Sequence, residues 1–179
     1  MSDTRRIYVD SCGFIDMVKT KVGKALTTER EHDVWFLKRL LEAGRDKEIE
    51  VYTSTITIAE CSHGGDGDIS EPIKSTFTLL LMSGQYVRLV QTTPFIGVDA
   101  RDLRWRYGLA LKGADAIHVA SALDRKCEEL LTSDGRLLRL SNHKDALSRL
   151  GVEVRSGRET LCLPEKYRQL ELGDEKKNS

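Results

Sequence analysis

The chain has 179 residues, with 28 Lys and Arg balanced by 28 Asp and Glu. That length suits one domain with extensions and a real hydrophobic core. Zero formal charge excludes a protein that binds polyanions over its whole surface, so any nucleic-acid contact needs a local basic face.

The chain opens on IYVDSCGFI. Ile7, Tyr8 and Val9 form a continuous apolar run that stops at Asp10 and turns through small residues. Such a run reads as a central parallel strand buried on both faces. A helix follows from Phe14 towards Val22. The next starts at Thr27 or Thr28, carries Val34, Leu37, Leu40 and Leu41, and stops at Gly44 as its C-cap. Ile49 to Ser54 is a second strand. Thr55 or Thr57 caps a short helix with Ile58, Ala59, Glu60 and Cys61, which Gly64 to Gly67 breaks.

A helical stretch from Ser70 puts Ile73, Phe77, Leu80 and Leu81 on one face and ends at Gly84. Tyr86 to Val90 alternates as a third strand. Pro94 opens a helix to about Leu111, and after Gly113 a small-residue helix spans Ala114 to Lys126. Leu130 to Asp134 is a fourth strand. A short helix from Asp145 to Leu150 precedes a fifth strand, Val152 to Arg155. Strands alternating with helices give an α/β fold: a central, mainly parallel sheet in a three-layer arrangement flanked by helices. The expected division is one domain over 1–163, with a helical insertion at about 64–84, and a polar, partly disordered tail over 164–179.

Four acids fall at element ends or on short helices: Asp10, Glu60, Asp115 and Asp134. In open α/β sheets ligands bind beyond the carboxyl ends of the strands. The ends of strands one and four share a rim with the first residues of helices that start there, so Asp10, Asp115 and Asp134 converge in this reading. Glu60 joins them only where its helix leans over the rim. Like charges ~4 Å apart repel by roughly 4 kcal/mol at an effective dielectric near 20. A divalent cation reverses that sign, and Mg²⁺ or Mn²⁺ prefers carboxylate oxygen. The plainer reading is four unrelated surface acids, with Asp10 only capping a helix.

IYVDSCGFI, TITIAE, GADAIHVASAL and LLTSDGRLL, in this order, resemble the PIN-domain family, and in particular its VapC-like toxin ribonucleases. The resemblance covers roughly Arg6 to Val154. It implies a parallel sheet wrapped by helices and an acid cluster that holds Mg²⁺ or Mn²⁺ for RNA hydrolysis. The matching positions are Asp10 with Ser11, Glu60, Asp115 with Ala116, Ala120 and Ala122, and Thr132 with Asp134. Their implied roles are catalytic and metal-ligating for the four acids. Implied partners are RNA and a small antitoxin protein. Family toxins are commonly shorter, and the extra length here lies around Gly64 to Gly84 and at the C-terminus.

Around the acids, the Ser11 and Thr132 hydroxyls either orient a carboxylate or cap and edge-bond the backbone. Ser133 is a weaker candidate. Arg101 and Arg104, on the densest basic helix with Arg106 and Lys112, are candidates to meet RNA; a merely solvated face is the plainer alternative. His118, three residues after Asp115, is either a phosphate contact or a hydrogen-bonded rim residue, and His63 likewise. Cys12 and Cys61 read as small buried residues, because thiolates do not suit Mg²⁺. Trp35 and Trp105 read as core or interface. Arg5 and Arg6 lie at the far end of the first strand.

The four cysteines form no CxxC pair and no zinc spacing. With no signal-peptide layout and no membrane-length segment, a cytoplasmic protein with reduced thiols is expected. The alternative function is a non-catalytic PIN-fold module that binds RNA or a partner protein. A haloacid-dehalogenase pattern wants a second Asp where Cys12 stands, and the receiver pattern is missing its acidic pair and late Lys. Apolar surface on the helices with Trp35 and Phe77, together with the family's habit, leads to an expected homodimer.

Overall fold

The computed structural model describes residues 4–61 and 69–169. His63, the Gly64 to Gly67 turn and the last residues of the polar tail lie outside the described residues. Among those described, five strands form one sheet in the order β3-β2-β1-β4-β5. They are β1 (Arg6–Val9), β2 (Glu50–Ser54), β3 (Arg88–Val90), β4 (Glu129–Leu131) and β5 (Glu153–Arg155). Every pairing is parallel. β1 is central, as its apolar run implies. Ile7 and Val9 face one core and Tyr8 the other, and all three are buried.

The first core is covered by α1 (Ser11–Lys21), α2 (Thr28–Arg45) and α4 (Glu71–Met82). Phe14 of α1, Leu40 of α2 and Leu81 of α4 are buried there, each contributing about 1.5–3 kcal/mol of apolar burial. Leu80 and Leu81 anchor α4, with Ile73 and Phe77 packed behind them. The expected insertion therefore contributes to the core over this helix. The second core lies under α5 (Pro94–Tyr107) and α6 (Gly113–Asp124). In α6, Ala116, Val119, Ala120 and Ala122 are buried. Their small volume lets the helix lie close to the sheet.

Some boundaries differ from the sequence reading. Gly44 lies inside α2, whose C-cap is Asp46. A Cβ there would come within 3.0 Å of Val51 and 3.2 Å of the Tyr86 carbonyl, so the glycine serves close packing on β2. α5 stops at Gly108, a left-handed cap with φ +69°, rather than at Leu111. Ser54 caps α3 (Thr55–Glu60), in place of Thr55 or Thr57. Tyr86 and Val87 fall outside β3. Three further turns are too short to show a period: α7 (Gly135–Leu138) and the 3-10 turns Arg139–Asn142 and Gly157–Glu159. α8 spans Lys144–Leu150. The start of the expected polar tail is ordered. Glu165–Tyr167 makes a 3-10 turn, and the Tyr167 hydroxyl donates to Asp46 at 2.8 Å.

Candidate functional site

Asp10 follows β1 and caps α1, its Oδ1 accepting the Cys12 N–H at 3.0 Å. The Thr132 hydroxyl donates to its Oδ2 at 2.5 Å and accepts the Asp134 N–H at 2.9 Å. One side chain thus joins the end of β1 to the loop after β4. Asp10 is 2% exposed, and burial raises its pKa from 3.8 to about 6. The Thr132 hydroxyl and the Gly13 and Cys12 N–H groups oppose that rise.

Asp134 does not end a strand. It is the N-cap of α7, accepting the Arg136 N–H at 2.7 Å. The Arg136 guanidinium clasps the same carboxylate, with Nη2 2.6 Å and Nε 3.1 Å from Oδ2. That pairing holds the Asp134 pKa below its ordinary value. Arg136 Nη2 also stands 3.9 Å from Asp115, in the first turn of α6. Asp115 is almost buried.

Glu60 ends α3, and its Oε2 lies 2.8 Å from His118 Nε2. That hydrogen bond lowers the Glu60 pKa against the effect of burial, and the Ser11 hydroxyl contributes. Through Ser11 and His118, Glu60 is tied to the start of α1 and to α6, which is the lean over the rim that sequence left open. His118 itself is 2% exposed, with Nδ1 2.8 Å from the buried Tyr8 hydroxyl. Both ring nitrogens of His118 are engaged inside the protein, by Tyr8 and by Glu60.

Arg101 and Arg104 lie on the exposed face of α5. Arg101 is paired with Asp102 at 2.9 Å and covers the Trp105 ring at 4.3 Å. Trp105 is 71% exposed, so it is not a core residue. Trp35 is half-buried, edge-on to Phe36. Arg6 pairs with Glu50 at the foot of the sheet, 3.2 Å away. Burial and the nearby acids push the Cys12 thiol up to about 12, and burial pushes Cys61 equally, so both stay protonated.

Two residues went unread in the sequence. Asp16 of α1 is buried, bound by Arg30 at 2.7 Å and by the Ser133 hydroxyl at 3.2 Å. Its signal was an acid inside the apolar run FIDMV. Arg136 had no signal beyond its place two residues after Asp134.

Among the described residues, no three His, Cys, Asp or Glu side chains gather closely enough to hold a metal ion as they stand. The donor chemistry nevertheless fits a hard divalent cation. The acids offer oxygen only, no Lys or Arg among the described residues hydrogen-bonds to buried Asp10, and one guanidinium reaches both Asp115 and Asp134.

Residues 7–142 match the family described as PIN domain, and the chain belongs to that family. Its fold is similar to a chain of VapBC2 from Rickettsia felis, solved bound to a promoter DNA fragment. That likeness has a TM-score of 0.56 at 13% identity and covers 84% of this chain and 98% of the other. It is also similar to a chain of FitAB bound to an IR36 DNA fragment, with a TM-score of 0.53 at 15% identity, covering 86% and 96%. None of the curated proteins compared with it matches. No helix among the described residues is long and apolar enough to cross a membrane.

Proposed function

We propose that the chain is a Mg²⁺- or Mn²⁺-dependent endoribonuclease of the cytoplasm, the toxin of a type II toxin–antitoxin pair. The observation that carries this reading is Arg136. Its guanidinium reaches Asp134 at 2.6 Å and Asp115 at 3.9 Å, while Thr132 ties the same loop to buried Asp10. Two acids from remote segments, Asp115 and Asp134, share one positive charge, and Thr132 joins Asp10 to the Asp134 loop. In this reading Asp10 and Asp115 ligate the ion directly, since both stem from rigid element ends. Glu60 and Asp134 act directly or through water, Asp134 once Arg136 gives way.

A bound Mg²⁺ or Mn²⁺ supplies water activation and neutralises charge developing on the phosphoryl group. Thr132 fixes the Asp10 carboxylate, and Arg101 and Arg104 offer charge to the RNA backbone from α5. The antitoxin partner is supported by the similar folds solved as VapBC2 and FitAB. A homodimer is supported by exposed apolar residues, Leu79 and Met82 on α4 and Phe95 and Trp105 on α5. Light scattering should then give twice the 20.2 kDa chain mass; a monomer at micromolar concentration removes the dimer.

A second reading, a non-catalytic module that binds RNA or a partner, is favoured by the internal partners of Glu60 and Asp134. The two part on one experiment. Wild type and Asp115→Asn are incubated with a mixed RNA pool in Mn²⁺, Mg²⁺ or EDTA, and both are melted with and without Mn²⁺. Cutting is expected only from wild type with metal, with Mn²⁺ raising its melting temperature more than the variant's. Equal Mn²⁺ shifts with equal cutting would remove Asp115 from the site. Binding without cutting by wild type would leave the second reading standing.

A further inference from the structure

Tyr8 and His118 join Glu60 in a run of polar groups, and neither of the two has a part in the proposed reaction. The Tyr8 hydroxyl lies 2.8 Å from His118 Nδ1, and His118 Nε2 lies 2.8 Å from Glu60 Oε2. Tyr8 is fully buried in the central strand. Among the described residues no Arg or Lys hydrogen-bonds to any of the three. Glu60, in contrast, is 30% exposed through its side chain and ends a helix of six residues. Nothing in so short a helix fixes a terminal glutamate by itself.

We propose that His118 is the positioning residue for Glu60, held by Tyr8 in the tautomer that protonates Nε2. The Glu60 carboxylate only accepts, so Nε2 carries the ring hydrogen and the Tyr8 O–H donates to Nδ1. The two assignments agree, because a neutral ring carries one donor and one acceptor. The carboxylate then has Oε2 fixed by His118, with the Ser11 hydroxyl as a second partner among the described residues. The same logic governs ligands whose outer hydrogen bonds set their direction, where losing the outer partner typically costs 10–100-fold in metal affinity. Tyr8 lies buried in the central strand of the sheet, so the orientation of Glu60 is inherited from the core rather than from α3 alone. The inference deepens the metal-dependent reading and rests on it for the role of Glu60, but not for the hydrogen-bond chain itself.

The test uses the full chain and two independent readouts. Nitrogen chemical shifts of the His118 ring report its tautomer, and calorimetric titration with Mn²⁺ reports the carboxylate site. In wild type, His118 should show one protonated nitrogen, Nε2, and one bare nitrogen, Nδ1. Tyr8→Phe keeps the ring and its packing but removes the donor to Nδ1; the tautomer signature should become mixed and Mn²⁺ affinity should fall by about tenfold. His118→Gln keeps an N–H at the Nε2 position and should retain most of the affinity, whereas His118→Leu should lose it. A His118 ring protonated on both nitrogens, or on Nδ1 alone, overturns the proposal. Equal losses in the Gln and Leu variants, with folding intact by circular dichroism, overturn it as well. Wild type that binds no Mn²⁺ but shows the expected tautomer, mixed in Tyr8→Phe, defeats the metal reading and leaves the Tyr8–His118–Glu60 chain standing.

Discussion

Asp10→Asn is expected to end metal-dependent RNA cleavage and, in the same protein without metal, to raise stability at neutral pH. The first effect follows from losing a charged oxygen at the rim. A ligand worth several kcal/mol of transition-state stabilisation corresponds to a fall on the order of 10³-fold in rate. The second follows from burial. Asp10 has a pKa of about 6 in the folded chain against an ordinary 3.8. Between those values the native state still holds a proton that the unfolded chain has released. Stability therefore falls as pH rises through that window, and above it the full cost stands, about 3 kcal/mol for a gap of this size.

The Asn side chain carries no charge, so it escapes that cost. Urea denaturation in EDTA should place Asp10→Asn ahead of wild type by about 1–3 kcal/mol at pH 7.5 and level with it near pH 4. Added Mn²⁺ should stabilise wild type and not the variant. A variant that is no more stable than wild type at pH 7.5 would mean that the Thr132 and Cys12 hydrogen bonds already offset the burial of Asp10. Undiminished cleavage would remove Asp10 from the site.

What could be read from sequence was whatever has a period or a sharp compositional edge. Ile7, Tyr8 and Val9 announce a strand buried on both faces because no polar residue interrupts them, and the sheet order places β1 at the centre. Leu37, Leu40 and Leu41 announce the buried face of α2 in the same way. Contacts between remote segments have no such signal. Thr132 meets Asp10 across 122 residues only because β1 and β4 pair in the register that brings Val9 beside Leu131.

His118 was ambiguous for a different reason. α6 is buried on most sides by its alanines, so its sequence has no polar stripe from which to infer where the ring points. Gly44 was read as a helix stop because glycine usually marks one, yet here its lack of a side chain admits Val51 and the Tyr86 carbonyl. Asp134 was read as a strand end because α7 has only four residues. A single helical turn leaves no repeat to detect, so the cap and its Arg136 clasp emerge only in three dimensions.

Arg155→Met is expected to destabilise the protein by about 3 kcal/mol while leaving Mn²⁺ affinity unchanged well below the melting temperature. Glu129 begins β4 at the foot of the sheet, opposite the acidic rim, and is buried. Arg155 Nε lies 3.2 Å from its Oε1 but makes no aligned hydrogen bond, so its contribution is charge. The Thr160 hydroxyl donates to Oε2 at 2.5 Å and the Leu161 N–H to Oε1 at 2.9 Å. Without Arg155 the carboxylate keeps two neutral donors and loses its cation in a site that water barely reaches. Breaking one side of a buried pair costs more than the pair is worth, so Glu129→Gln combined with Arg155→Met should recover most of the loss. The rim should not feel the change. Thr132 is held from below by its N–H bond to the Arg155 carbonyl at 3.0 Å, a backbone contact that the substitution leaves in place. Thr132 therefore stays aimed at Asp10. Urea denaturation reads the stability and titration with Mn²⁺ reads the rim. Wild-type stability in the single variant would mean that Thr160 and Leu161 suffice for Glu129; a parallel loss of Mn²⁺ affinity would mean that the foot of β4 and the acid rim move as one unit.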